Sequence, residues 1–283
     1  MMASSAKKAK VESPRMPNWL ELPIDLTKNI LQRLDTVEIV TSARNVCSLW
    51  WNICKDPLMW RGRRTINMSG YQTRQFDFSC LEKICRCAID LSCGHLEDID
   101  ISLFGTDDLL RYMAHRASYI RRLRLFRCRE ISNKGFSEFV KKFSLLEDLD
   151  ISFNNLTKDT VEVIGQCCPL LKSLNLEKIR SSDCHFIDQA CAIAKTMPGL
   201  RHLKLTRIVL PNTTLIAILE GCPLLESLDV KECHRLYVSR SLKKWCHEKI
   251  KDLQLPDSYV DDRYVIFDHD DDLANADTRR YIC

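Results

Sequence analysis

Residues 167–176 read CCPLLKSLNL and residues 221–230 read GCPLLESLDV. The last six residues of each follow the form L-x-x-L-x-L, with Ile or Val allowed for Leu. The same form starts at Leu96, Ile120, Leu146, Leu171, Leu200, Leu225 and Ile250, in steps of 24, 26, 25, 29, 25 and 25 residues. Self-similarity at such a period marks a stacked repeat. Within each phrase the last two apolar residues are two apart, so both lie on one face of a strand.

Between phrases the spacing turns helical. Leu109, Leu110, Met113, Ala114 and Ala117 follow Thr106; Phe136, Phe139, Val140 and Phe143 follow Ser132. Val161, Ile164 and Cys168 follow Thr157, and Leu242, Trp245 and Cys246 follow Ser239. Thr or Ser ahead of such a run is a good helix N-cap. Cys168-Pro169, Met197-Pro198 and Cys222-Pro223 end helices, because a residue before Pro avoids the helical region. One repeat is thus a strand, a turn and a helix, which buries its apolar face only by stacking on neighbours. The expected fold class is α/β: a short solenoid over residues 61–255, with parallel strands on the concave side and helices on the convex side. Ile66 and Met68 suggest an irregular first strand, with residues 79–93 as its helix.

Strand alternation turns the residues beside the buried pair outward. In order these are Asp98, Asp100 and Ser102; Arg122, Arg124 and Phe126; Asp148, Asp150 and Ser152; Ser173, Asn175 and Glu177; His202, Lys204 and Thr206; Ser227, Asp229 and Lys231. Arg122 and Arg124 should sit between two acidic strands. A cross-strand ion-pair ladder accounts for that stripe, and a charged recognition surface for another protein is compatible with it. The target-binding candidates are Asp98, Asp100, Arg122, Arg124, Phe126, Asp148, Asp150, His202 and Lys204, with Phe126 the best contact because exposed aromatics anchor interfaces.

Fifteen cysteines are many for 283 residues. Cys93, Cys168 and Cys222 stand three residues before a repeat start, a slot that Ala117, Phe143 and Met197 fill elsewhere. Cys128 and Cys233 stand eight after a start, where other copies carry Phe104, Asn154, Ile179 and Ile208. Slots shared with apolar residues are packing slots for a small buried thiol. Cys80, Cys85, Cys87 and Cys93 lack the paired C-x2-4-C spacing of structural zinc, so no metal is expected.

Ahead of the repeats, residues 17–60 read PNWLELPIDLTKNILQRLDTVEIVTSARNVCSLWWNICKDPLMW. Leu22, Leu26, Ile30 and Leu34 step by four, as one apolar helix stripe would. Helical spacing resumes after Asp35-Thr36. Such a block is a small helical bundle, marginal alone and stabilised by a partner or by the adjoining repeat. Trp50 and Trp60 are expected in its core.

These residues resemble the F-box: Leu22-Pro23 opening a helix, then Leu26, Ile30 and Leu34, Val46-Cys47-x-x-Trp50 and Asp56-Pro57-x-x-Trp60. The repeats resemble leucine-rich repeats of the cysteine-containing subclass. The whole chain resembles a short plant F-box/leucine-rich-repeat protein of the Skp-interacting type. The resemblance implies that the F-box docks on the Skp adaptor, and through it on the cullin and RING subunits of an SCF-type ubiquitin ligase. The repeats would then hold an unidentified target protein. It implies that Leu22, Pro23, Leu26, Ile30 and Leu34 carry the adaptor contact; the alternative for each is the bundle's own core. The competing reading of the chain is a protein-binding scaffold that joins no ligase.

The net charge of +4, 42 basic against 38 acidic residues, leaves no nucleic-acid footprint. No apolar run reaches the ~18 residues of a membrane span. Residues 1–16 read as a solvated tail without the apolar core of a signal peptide, so nucleus and cytoplasm are the expected compartments. Lys7, Lys8 and Lys10 fit a nuclear signal or simple solvation. Residues 256–283 form an acidic tail, in which Val265, Ile266 and Phe267 either cap the last repeat or do not. No nucleophile elbow, phosphate loop or metal-ligand pair is present, the seven histidines are scattered, and no cofactor or catalysis is expected of this chain.

Overall fold

The structure is a computed structural model that describes residues 21–60, 64–71, 76–154, 156–177 and 185–256, with the backbone alone at 185 and 186. The expected tails at 1–16 and beyond 256 lie outside the described residues, as does Ile179.

Every strand the repeat predicts is present, and one precedes them. β1 (Thr65–Asn67), β2 (Asp98–Ser102), β3 (Arg122–Phe126), β4 (Asp148–Asp150), β5 (Ser173–Glu177), β6 (His202–Thr206), β7 (Ser227–Asp229) and β8 (Asp252–Gln254) form one sheet in chain order. All seven pairings are parallel, and the register aligns Ile66, Ile99, Leu123, Leu149, Leu174, Leu203, Leu228 and Leu253 in one row. A slip of one residue would turn each of these side chains to the opposite face. The irregular first strand around Ile66 and Met68 is therefore a full member of the sheet, and both side chains are buried.

Each strand is followed by a helix except β8, where the described chain ends. They are α5 (Phe78–Leu91), α6 (Asp107–Arg116), α7 (Asn133–Val140), α8 (Lys158–Cys167), α9 (His185–Thr196), α10 (Asn212–Gly221) and α11 (Arg240–Lys249). Thr106, Ser132 and Ser239 accept backbone N–H bonds at the helix starts from Leu109 (3.1 Å), Gly135 (2.9 Å) and Leu242 (3.2 Å). Thr157 holds the N-cap position, but its hydroxyl makes no cap. Instead, its N–H and the Thr160 hydroxyl both donate to Asn133 Oδ1 of the preceding repeat, at 2.8 and 2.9 Å. Cys168 and Cys222 leave the helical region ahead of Pro169 and Pro223, at φ −115° and ψ 71° and 70°.

The two cysteine slots divide. At three before a repeat start, Ala117, Phe143, Cys168, Met197 and Cys222 are buried. Cys93 departs from that expectation: it is exposed, at φ 50°, ahead of Gly94 at φ 81°. No Pro follows here, so the helix stops through two left-handed residues, and Ser92 is the buried residue, its hydroxyl donating to Ile89 O at 2.6 Å. At eight after a start, the slot does more than pack. Cys128 Sγ donates to Ile101 O at 3.7 Å, Asn154 Nδ2 to Leu125 O at 2.7 Å and Cys233 Sγ to Leu205 O at 3.1 Å. In each case the carbonyl is the last apolar residue of the preceding phrase, so the slot ties each turn to its neighbour. Burial pushes the Cys85, Cys168, Cys222 and Cys233 thiols up to about 12 and those of Cys128 and Cys246 up to about 11. They remain protonated and unreactive at neutral pH. Twelve described cysteines are free, and Cys191 is disulfide-bonded.

The helix layer is tightest around α9. A Cβ built on Gly221, the last residue of α10, would lie 2.1 Å from the backbone oxygen of Ala194. Backbone cannot turn away as a side chain can. Gly221→Ala is therefore expected to lower stability by about 1–3 kcal/mol, an overpacking cost. The measurement is thermal unfolding, on which roughly 2–4 °C per kcal/mol is expected for a chain of this size. An unchanged midpoint would mean that α9 and α10 separate freely.

The N-terminal block folds as α1 (Ile24–Leu31), α2 (Thr36–Thr41), a 3-10 turn (Ala43–Asn45), α3 (Ser48–Lys55) and α4 (Pro57–Trp60). Asp35 and Glu38 form a reciprocal capping box at the start of α2, at 2.8 and 3.1 Å. Leu31, Val37, Ile39, Ile53, Met59 and Trp60 join the same continuous core as the repeats. α2 packs on α5, and Arg44 of the 3-10 turn donates to Cys87 Sγ of α5 at 3.0 Å. The bundle thus gains from the first repeat the burial it cannot supply itself.

Candidate functional site

Two surfaces gather the residues singled out from the sequence. The first is α1. Its start is set by Pro23, whose carbonyl accepts from Thr27 N at 3.0 Å and Thr27 Oγ1 at 3.2 Å. Thr27 and Leu31 face the core, 1% and 0% exposed. Leu26 (51%) and Ile30 (38%) face solvent, together with Ile24 (53%). The stepping by four is real, but the helix is rotated so that a Thr, not that stripe, lies inside. Pro23 is exposed, Leu22 is half-buried, and Leu34, beyond the end of α1, packs half-buried on the core.

Exposed apolar side chains concentrate on this block. Among the described residues, five of the ten large ones, Ile24, Leu26, Ile30, Val46 and Leu58, fall between residues 24 and 58. A soluble surface does not cluster such residues without a use for them. Two charges brace the block. Lys28 Nζ lies 2.8 Å from Asp56 Oδ2, and Asp56 Oδ1 also accepts from Leu58 N at 2.9 Å. The Lys28 hydrogen bond, then the Leu58 N–H, hold the Asp56 carboxyl below its ordinary range. Trp60 is 1% exposed, with its indole Nε1 donating to Cys54 O at 2.7 Å. Trp50 is half-buried against the core. Trp51 lies outside both, with Arg44 at 5.0 Å and Lys55 at 4.6 Å from its ring centre.

The second surface is the sheet face that the helices leave open. Strand pairing sets Asp98, Arg122, Asp148, Ser173, His202 and Ser227 in one row. Asp100, Arg124, Asp150, Asn175, Lys204 and Asp229 make a second. Arg122 Nε lies 3.0 Å from Asp98 Oδ2, and Arg124 bridges Asp100 and Asp150, at 3.4 Å each. Lys204 pairs with Asp229 at 3.4 Å. His202 is exposed between Ser173 and Ser227. Burial is the largest influence on Asp100 and Asp148 and raises both carboxyls, with Arg124 and the Ser173 hydroxyl respectively opposing it. These Asp residues form the floor and the Arg side chains stand above them. Exposed pairs of this kind contribute well under ~1 kcal/mol each.

The third outward position differs from the sequence reading. Ser102, Ser152 and Thr206 are buried at 8%, 2% and 6%, not presented to a partner. The chain turns over the sheet edge one residue later. Leu103, Arg127, Phe153 and Arg207, each seven after a repeat start, have φ of 77°, 53°, 59° and 59°. Positive φ is uncommon for such residues, and its recurrence makes it a property of the turn. Phe126, expected to be an exposed anchor, is half-buried: its ring meets Phe153 edge-on at 5.0 Å and 85°.

That turn position is what the sequence reading missed. Arg127 lies over both rings, 4.9 Å from the centre of Phe153 and 5.4 Å from that of Phe126. Arg207 lies 6.0 Å from Phe153 and is paired with Glu232 (3.1 Å) and Glu177 (3.7 Å). The repeat phase, extended one residue past the strand, would have found this column. Among the described residues no three His, Cys, Asp or Glu side chains gather in a metal-binding group, and no helix is long and apolar enough to cross a membrane.

Comparison with known proteins adds family information. An F-box domain model matches residues 19–62, and a model described as "FBD-associated F-box protein At5g56370, LRR repeats" matches residues 176–263. F-box protein SKIP19 of Arabidopsis thaliana is 41% identical over 96% of this chain and 88% of its own length. Putative F-box/LRR-repeat protein 22 of the same plant is 42% identical over 88% of this chain and 81% of its own. Putative F-box/LRR-repeat protein 23 is 41% identical over 92% of this chain, which spans 58% of that longer relative.

Proposed function

This chain belongs to the F-box/leucine-rich-repeat proteins, and from that premise we propose that it is the substrate-receptor subunit of an SCF-type cullin-RING ubiquitin ligase. Its F-box docks on a Skp adaptor, which links it to the cullin and RING subunits, while the open sheet face holds the protein to be ubiquitinated. The chain performs no catalysis; ubiquitin transfer belongs to its partners. Nucleus and cytoplasm are the compartments in which it works.

The observation that carries this reading is the orientation of α1. Leu26 and Ile30 lie on the outside of a small domain whose core is otherwise closed, so they are available to a partner's apolar groove.

The test is co-expression with a Skp adaptor followed by size-exclusion chromatography. A stable one-to-one complex is the expected result. A folded chain that elutes apart from the adaptor would overturn the ligase reading and leave a stoichiometric binding scaffold.

A further inference from the structure

On the open sheet face, cations are matched by acids. Arg122, Arg124, Lys204 and Arg207 each have a carboxylate within 4 Å. Arg127, at the turn where the chain leaves this face after β3, breaks the pattern. It is exposed, it forms no ion pair among the described residues, and its guanidinium rests on the rings of Phe126 and Phe153.

The setting makes this more than an unpaired surface charge. Stacking on two rings restricts the guanidinium, and its N–H donors have no partner among the described residues. The backbone is held as well: Arg127 N donates to Ser152 O of the next repeat at 3.0 Å, with φ at 53°. Much of the ordering cost that a flexible surface Arg meets on binding has been met in folding. The half-buried ring of Phe126 lies beside it, so a bound group would meet a cation and an apolar surface together.

We propose that Arg127, seated on Phe126 and Phe153, is the anchor by which this face captures its target, and that it takes an Asp or Glu carboxylate flanked by an apolar residue. The proposal rests on the reading of the open sheet face as the target-binding surface. A carboxylate suits the site better than a phosphate. A phosphate dianion is best held by several free cations. The neighbouring Arg124 and Arg207 are already engaged by Asp100, Asp150, Glu177 and Glu232. Those carboxylates repel a phosphate dianion about twice as strongly as a carboxylate monoanion. A single planar guanidinium matches one carboxylate in bidentate fashion.

The experiment is selection of phage-displayed random dodecapeptides on the full-length chain, followed by fluorescence anisotropy on the selected peptides. The expected consensus holds an acidic residue next to an apolar one. Arg127→Ala is expected to weaken binding at least about tenfold, and Arg127→Lys nearly as much, because the planar fork is lost. Arg111→Ala, which removes a cation paired with Asp108 on α6 of the helix layer, away from the sheet face, is expected to change binding less than about threefold. Arg127→Glu is expected to bind a peptide whose acidic residue is replaced by Lys. Thermal melts of each variant separate lost binding from lost folding.

A consensus without an acid, an empty selection, or full binding by Arg127→Ala would overturn the anchor. So would a phosphoserine at the acidic position that binds more tightly than the carboxylate. If selected peptides lose affinity through Asp100→Asn or Arg122→Ala but not through Arg127→Ala, the face binds targets and the anchor assignment alone fails. If no substitution on the sheet face affects them, the target-face reading itself fails.

Discussion

Leu26→Ala combined with Ile30→Ala is expected to weaken binding of the Skp adaptor more than about a hundredfold, because burying each side chain is worth roughly 1.5–3 kcal/mol. The melting temperature of the isolated chain should hardly move. Both residues are more than a third exposed, so their removal opens no cavity. Ala also propagates a helix better than Ile or Leu, which offsets any small packing loss. Thr27 and Leu31 stay in the core and keep α1 in place. The measurements are calorimetric titration with the adaptor and a thermal melt of each protein. Unchanged affinity would move the adaptor to another surface. A lowered melting temperature would show that the two residues are core, as the sequence alone allowed. Leu22 and Pro23 are expected to matter less individually, since Leu22 is half-buried and Pro23 chiefly sets the helix start.

Trp60→Ala is expected to act in the opposite way. Its ring is 1% exposed and its indole N–H is bonded to Cys54 O at 2.7 Å. Truncation leaves a cavity and removes that buried hydrogen bond, together about 3–5 kcal/mol. In a domain of some 40 residues leaning on the first repeat, that loss is enough to melt the helices locally. Adaptor binding would fall as well, but with the loss of helical signal and at a lowered urea midpoint. Trp60→Phe keeps most of the volume and is expected to recover part of the stability, without the hydrogen bond. If Trp60→Ala melted like the parent protein, the F-box core would have to lie elsewhere.

The two cases show where sequence reading succeeds and where it stops. Repeat phase located the strands, because the hydrophobic pattern of one strand is copied by its neighbours and a parallel stack must keep them in register. It also located three N-caps, three Pro-terminated helix ends and a buried Trp, each set by nearby residues. It failed at Cys93, where a neighbouring Gly lets the helix end in left-handed geometry and exposes the thiol. It failed again at Ser102, Ser152 and Thr206, because strand alternation does not reveal where the chain turns over the sheet edge.

The sequence by itself determined the architecture, a small helical block followed by a parallel strand-and-helix stack, because period and alternation are properties of the chain. It also determined that Arg122 and Arg124 would lie between acids, since register follows from phase. Only the tertiary structure decided which side of α1 is buried. A stripe of Leu and Ile has the same spacing whether it serves a core or a partner, and the packing of α3 on α1 breaks the tie in favour of Thr27 and Leu31. Only the tertiary structure, too, separated the acid-paired Arg122 and Arg124 from Arg127, which has no ion pair among the described residues. Arg127 gains its rings from two different repeats, Phe126 from its own and Phe153 from the next, and residues 26 apart in the chain become neighbours only when the repeats stack.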